Sequence, residues 1–233
     1  MKKSKLKIAA IVCLVIGLLV MFFPQICNKI NGKLMKNETQ KFDNVKKQMK
    51  ENELEELYSM MKSYNENLFS NGQKELSDPF SYEESSFDLS KYGLNDSIVG
   101  YIDIPKLDLH TPIYLGANEE NMAKGVAQLG KTSMPIGGKN TNCVLAGHRG
   151  MRTKEMFLHI DELQPGDEII VTNFREKLYF SVVETKVISP YSVNEILIQP
   201  GKDLITLISC HPYPQNYQRY LVFCERKTEK SSD

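Results

Sequence analysis

Between Ile98 and Glu225 the sequence breaks into short runs of β-branched and aromatic residues, and this pattern limits the fold more than any other feature. The runs are "IVGYIDI", "LDLHTPIYL", "NCVLAG", "EIIVTNF", "KLYFSVVETKVI", "DLITLIS" and "RYLVFCE". Pro105, Asn173 and Pro190 sit in or beside the breaks, and Pro165-Gly166-Asp167 is a strong turn signal. "RTKEMFLHIDEL" is the one helical-looking insertion. Many short strands at close spacing predict a sandwich or barrel, mainly β, and argue against a doubly wound sheet.

The N-terminus carries a different signal. Lys2, Lys3, Lys5 and Lys7 precede the apolar stretch "IAAIVCLVIGLLVMFF", residues 8–23. With Leu6 and the stem of Lys7 it approaches the roughly 20 residues that span a bilayer. A cleaved signal peptide has an apolar region of about 7–15 residues and a small-x-small site. Here the run ends in Phe22-Phe23-Pro24-Gln25, and no small residues precede Cys27 as in a lipoprotein signal. An uncleaved single-pass anchor is expected. The lysines ahead of it set residues 1–7 in the cytoplasm and the rest outside.

Residues 24–40 read as a polar juxtamembrane stalk within a segment, 24–70, that continues as an amphipathic helix from Lys41 to Phe69. Phe42, Val45 and Met49 form one apolar stripe, and Leu54, Leu57, Met61, Tyr64 and Leu68 another. A phase slip separates them. Residues 71–97 form a linker opened by Asn71-Gly72. Between Glu75 and Asp96 it holds Glu75, Asp78, Glu83, Glu84, Asp88 and Asp96 against a single base, Lys91, and is punctuated by Phe80, Tyr82, Phe87 and Tyr92. Those rings need an apolar surface to cover. The β region covers 98–226 and a polar tail 227–233.

Lys+Arg and Asp+Glu both number 29, so no net charge draws the chain to nucleic acid. A zinc-type CxxC pair, a Walker loop, GxGxxG and HExxH are all missing from the sequence, and neither a metal nor an organic cofactor is expected. Five cysteines scattered over 233 residues do not form a disulfide framework.

Chemistry is expected where "DLITLIS" stops at Cys210 and a new strand opens at Arg219. A thiolate is a nucleophile, and a nearby cation or imidazolium favours it. Cys143 and Cys224 lie inside strands and read as packing. Of the four histidines, His110 sits in a strand, His159 in the helical-looking insertion, and His211 points away from Cys210 by strand alternation. His148 follows "CVLAG" just past a strand end, between Gly147 and Gly150, where a side chain can reach a cleft from a rigid base. Arg219 stays protonated and can donate a fork of hydrogen bonds to an oxygen gaining charge. Its bland alternative is a strand-edge charge or a partner for the acidic linker.

The set "TLISC", the histidine of "LAGHRG" and an arginine nine residues past the cysteine resembles the sortase family of cysteine transpeptidases. The likeness runs from about Glu75 to Arg226 and includes "GYIDIPKLDLHTPIYLG", "TSMPIGGKNTN" and "LQPGDEIIV". "LSDPF" resembles the Asp-Pro-aromatic lid of class C, the pilus-building sortases.

The resemblance implies a closed β-barrel of about eight strands, with N-terminal helices, a lid loop and the site at one mouth. It implies that strands ending near His148 and starting near Arg219 flank the strand ending at Cys210. Cys143 and Cys224 then lie two strand spacings apart, about 9–10 Å, and stay free thiols. It further implies catalysis by Cys210, His148 and Arg219 on an LPXTG-type sorting signal of a secreted pilin or surface protein. The acceptor is an amine, either a pilin lysine or a peptidoglycan cross-bridge. The lid lays Phe80, after Asp78 and Pro79, over Cys210 while Asp78 pairs with Arg219.

Two features depart from class C. Its members commonly carry a second hydrophobic helix after the barrel, whereas "ERKTEKSSD" is hydrophilic, so the N-terminal helix is expected to anchor alone. A histidine also directly follows the cysteine. A housekeeping or class B-like sortase is therefore the alternative. A membrane-tethered peptide-binding scaffold is the non-enzyme alternative. A papain-like protease is disfavoured, because its cysteine normally opens a helix early in the chain.

Overall fold

The computed structural model describes residues 2–73, 76, 89–92, 94, 97–150 and 154–227. Among them eight strands close into one barrel: β1 Ile98–Ile104, β2 Leu109–Leu115, β3 Val126–Gln128, β4 Thr141–Ala146, β5 Glu168–Asn173, β6 Lys177–Ile188, β7 Asp203–His211 and β8 Gln218–Arg226. Their order around the barrel is β1-β2-β3-β4-β7-β8-β6-β5. The β2–β3 and β4–β7 pairs are parallel, and the other six are antiparallel.

The apolar runs reflect burial on two faces. Ile205, Leu207, Val222 and Cys224 pack in the main cluster, which fills the barrel. Their strand neighbours Ile208, Leu221 and Phe223 pack in a second cluster with Ile188 and Ile196. Side chains alternate along a strand, so the second cluster covers the outer face of β4, β7 and β8. A strand buried on both sides needs apolar residues at consecutive positions, hence the unbroken "LITLIS".

Among the described residues three α-helices accompany the barrel: α1 Lys2–Gln48, α2 Glu51–Ser70 and α3 Glu119–Lys124. The expected stalk over 24–40 is instead continuous helix with the apolar stretch. Among the described residues α1 is the one helix long and apolar enough to cross a membrane. The described apolar side chains from Ile8 to Phe23 are exposed, as an all-round apolar span requires lipid. Farther along, α1 docks on the outside of β1 and β2. Phe42 is buried there, edge-on to Tyr101 with centroids 6.2 Å apart and tilted against Phe174 at 5.0 Å. Burying such a ring is worth about 1.5–3 kcal/mol.

The phase slip between the apolar stripes is a helix break. α1 stops at Gln48, and α2 restarts with the Glu53 carboxylate accepting the Lys50 N–H at 3.0 Å. Leu57 and Met61 then bury on the barrel, and buried Asn65 accepts the Met134 N–H at 2.7 Å.

The insertion "RTKEMFLHIDEL" does not form the expected helix. Its described part folds as turns ending in a 3-10 turn at Ile160–Glu162, because Met156, Phe157 and Ile160 are drawn into the core. The cysteines among the described residues are all free. Cys143 and Cys224 both register against Ile205 from opposite sides, which holds them two strand spacings apart.

Candidate functional site

Three segments converge at one end of the barrel. Cys210 and Arg219 are direct partners across the β7–β8 ladder, so the thiol and guanidinium leave the same face. That face is the outer one, since Ile208 and Leu221, two residues back along each strand, belong to the outer cluster. The chain between them, 211–218, turns back at this end, as antiparallel neighbours must.

On the other flank β4 runs parallel to β7, in register from Thr141 with Asp203 to Ala146 with Ile208. The pairing continues past the strand end. The Gly147 N–H donates to the Ile208 carbonyl at 3.1 Å, and the Ser209 hydroxyl donates to the Gly147 carbonyl at 2.7 Å. His148 follows two residues after Ala146, at the end of the barrel where β7 reaches Cys210. Neighbouring strands lie about 4.8 Å apart. Cys210 thus has Arg219 on the β8 flank of its strand, and on the other flank β4, the strand that leads into His148.

Local sequence explains the placement. A Cβ at Gly147 would stand 2.6 Å from the Phe157 ring, so only glycine lets β4 exit beneath that buried side chain. The His148 carbonyl accepts the Phe157 N–H at 3.0 Å, which closes the loop over itself. His148 is half-buried. Burial pulls its imidazole below the ordinary histidine range, and the Glu119 carboxylate on α3 opposes part of that shift. The Arg219 guanidinium folds back on its own turn, donating to the carbonyls of Asn216 at 3.0 Å and Gln218 at 2.9 Å.

The other histidines are otherwise engaged. His110 bridges Asp103 at 2.5 Å and the Thr39 hydroxyl at 2.8 Å, fastening α1 to the barrel. His159 pairs with Glu162 at the surface. His211 lies tilted against Tyr220 with centroids 5.5 Å apart, on the face opposite Cys210. Among the described residues no group of three His, Cys, Asp or Glu side chains gathers to hold a metal ion.

Asp78, Pro79 and Phe80, the expected lid, lie outside the described residues. Their flank is informative. Buried Leu76 belongs to the outer cluster with Ile196 and Ile208. Gln73 donates to the Lys131 carbonyl at 3.1 Å and accepts the Ile198 N–H at 2.6 Å.

Sequence reasoning missed four contributors: Ser209, Glu119, the steric demand at Gly147 and buried Arg149. "LAGHRG" and "TLISC" contain three of them, yet their partners lie far along the chain and leave no local pattern.

Comparison with known proteins settles the family. The Sortase domain family model matches residues 102–227, more than half of the chain. The chain belongs to the sortase family. This sortase is 29% identical over 229 residues to sortase A of Listeria monocytogenes, covering 96% of this chain and 93% of that one. It is 30% identical over 125 residues to sortase A of Bacillus anthracis, covering 54% of this chain and 58% of that relative's length. Among solved structures it resembles Group B Streptococcus Pilus Island 1 Sortase C2, with a TM-score of 0.69 and 35% identity. That match covers 77% of this sortase and all of the other chain. The closed barrel and N-terminal helix are those of sortase structures, and the family is one of transpeptidases.

Proposed function

We propose that this sortase is an extracytoplasmic cysteine transpeptidase that joins secreted proteins bearing an LPXTG-type sorting signal to an amine. The observation that carries this reading is the pairing of Cys210 with Arg219 on one face, with β4, the strand that leads into His148, on the other flank. α1 holds the enzyme in the membrane, with the barrel on the outer side.

The chemistry follows from those positions. The Cys210 thiolate attacks the carbonyl carbon between Thr and Gly of the signal. Charge collects on the carbonyl oxygen, where Arg219 donates hydrogen bonds once it swings from its own turn. The C–N bond breaks as His148 gives a proton to the departing glycine amine, leaving a thioester on Cys210. An incoming amine then attacks the thioester carbon, His148 takes a proton from it, and the thiolate leaves. Half-burial of His148 favours its neutral form, which suits the second step.

Asp78, Pro79 and Phe80 act as the lid. Leu76 supports this, because the chain enters that segment from the outer cluster beside Cys210. A ring over the thioester keeps water out and so favours amines over hydrolysis.

The acceptor is a pilin lysine. The 35% identity to a pilus-island sortase supports this, as does "LSDPF". A second reading, attachment of surface proteins to peptidoglycan, is favoured by the near full-length match to a sortase A. One experiment decides. The full chain in detergent is incubated with a labelled sorting peptide and either a lysine-bearing pilin or a peptidoglycan cross-bridge peptide. Mass spectrometry then identifies the product. A lysine isopeptide is expected. Cross-bridge product alone would establish the second reading, and product with Cys210→Ala enzyme would sink both.

A further inference from the structure

A second guanidinium stands behind the nucleophile. Arg149 directly follows His148 and is 6% exposed. Its group stays charged under all working conditions, so burial has to be matched by partners. Nε donates to the Leu158 carbonyl at 2.8 Å, and Nη2 pairs with Asp161 at 2.6 Å. Nη1 donates to the Cys210 carbonyl at 3.3 Å and lies 3.5 Å from Nδ1 of His211. The guanidinium carbon sits 5.9 Å from the centre of the Tyr220 ring.

These contacts join three separate pieces of chain. The Arg149 backbone belongs to the segment carrying His148. Its head grips the last residues of β7 and, through Leu158 and Asp161, the turns that pack over the β4 exit. His211 and Tyr220 belong to the strand face opposite Cys210 and Arg219. Arg149 therefore works from the barrel side and Arg219 from the outer side, where the peptide binds. An apolar plug could fill the same volume, and buried ion pairs are often replaceable by one without loss of stability. It could not hold the Cys210 carbonyl, the Leu158 carbonyl and the Asp161 carboxylate in one rigid fork.

We propose that Arg149 is a positioning residue that sets the separation and mutual orientation of His148 and Cys210. The inference rests on the reading of those two side chains as the reacting pair. Arg149 touches the carbonyl of the nucleophile residue and never the substrate. Its task is to keep the β4 exit from drifting away from the end of β7 while the imidazole passes protons to and from amines beside the Cys210 sulfur. Asp161 holds the fork from its other end.

The test uses full-length enzyme in detergent with Arg149→Met, Arg149→Lys and Asp161→Asn. Thermal melts establish folding, and quenched mass spectrometry gives the kcat and KM of thioester formation. NMR titration gives the midpoint of His148. Misplacing reacting groups by about 1 Å costs on the order of 100-fold in rate. Arg149→Met is expected to lower kcat by about that factor with KM within about twofold. Arg149→Lys is expected to recover part of the loss, and Asp161→Asn to lower kcat about tenfold. The His148 midpoint should rise toward about 6.5 as the loop opens to water. Arg149→Lys keeps the charge, so a rise there reports loosening alone.

Folded Arg149→Met enzyme with unchanged kcat and an unchanged His148 midpoint overturns the proposal. So does activity lost only in proportion to the unfolded fraction. Should Arg149→Met not fold, the Lys and Asp161→Asn variants decide by the same readouts. Wild-type enzyme that forms no thioester with any sorting peptide defeats the functional reading instead. The His148 midpoint in the variants still reports whether Arg149 holds the loop.

Discussion

Ser209 donates its hydroxyl to the carbonyl of Gly147 at 2.7 Å, one residue before each of the two side chains that the proposed chemistry brings together. The bond is buried and lies just past the last strand pairing of β4 with β7. Ser209→Ala would leave that carbonyl unsatisfied, at about 1–3 kcal/mol. Gly147→Ala would drive a methyl group into the Phe157 ring, which is fully buried and has nowhere to retreat. Denaturant melts should show both variants folded but weakened. Thioester formation should fall about tenfold in Ser209→Ala and further in Gly147→Ala, following the geometric sensitivity of positioned reactants. Unchanged rates in both would mean that the β4 exit does not set the site.

Arg219 offers a cleaner separation of charge from shape. Its guanidinium donates to carbonyls of its own turn, and a lysine there keeps the charge and most of the stem, so Arg219→Lys should leave the melting temperature within a few degrees. Lysine keeps the charge and loses the planar fork. Removing one donor of this kind from an oxyanion site costs roughly 100- to 1,000-fold in kcat. Arg219→Lys is expected in that range, with peptide KM little changed. Single-turnover kinetics at saturating peptide checks it. A loss confined to KM would assign Arg219 to peptide binding instead.

His148 carries the pH dependence. Burial disfavours its imidazolium, so its midpoint in the folded protein lies below the ordinary value of about 6.5. Between those two values the unfolded chain binds more protons than the folded one. Stability is therefore full above about pH 6.5 and declines as pH falls toward the folded midpoint. Glu119 acts the other way, because its negative charge favours the imidazolium. Glu119→Gln should push the midpoint down further, read directly by NMR titration. A midpoint that rises in Glu119→Gln would contradict the electrostatic account.

How much of this was legible in the sequence depends on the range of the interaction involved. "IVGYIDI" and "KLYFSVVETKVI" coincide with β1 and β6, because a strand's own residues record its burial. β3, "VAQ", is too short to show any period. α3 went unread as well, although Asn118 caps it by accepting the Asn121 N–H at 2.9 Å. "RTKEMFLHIDEL" has helix-forming residues, and packing of Phe157 and Ile160 overrides that preference. Cys210, His148 and Arg219 could be singled out by chemistry and by strand ends. The face that Cys210 and Arg219 share could not, since it depends on a register visible only once β7 is paired with β8. Arg149 stood in a quoted hexapeptide, yet its partners at 158, 161, 210, 211 and 220 come from the fold.

Phe42 tests whether α1, the candidate membrane span, is part of the enzyme or merely its tether. It is 1% exposed and is the α1 side chain set between Tyr101 and Phe174. Two polar contacts reinforce the docking, Thr39 with His110 and the Lys46 ammonium donating to the Asn173 carbonyl at 2.8 Å. Closer to the membrane, Asn28 donates to Glu155, on the same turns that pack over the β4 exit, at 2.5 Å. Under the proposed anchoring, a helix that touches those turns would link the bilayer to the segment holding His148. Phe42→Ala removes a ring from a closed site, a change that typically costs about 3–5 kcal/mol. Since α1 lies outside the barrel, part of that loss should appear as undocking and not as unfolding. Hydrogen exchange on full-length enzyme in lipid nanodiscs should show faster exchange over 35–48, with protection in β7 and β8 retained. Thioester formation should fall if docking steadies the 154–162 turns. Unaltered exchange over 35–48 would show that the polar contacts alone hold the helix, and an unaltered rate with faster exchange would reduce α1 to a tether.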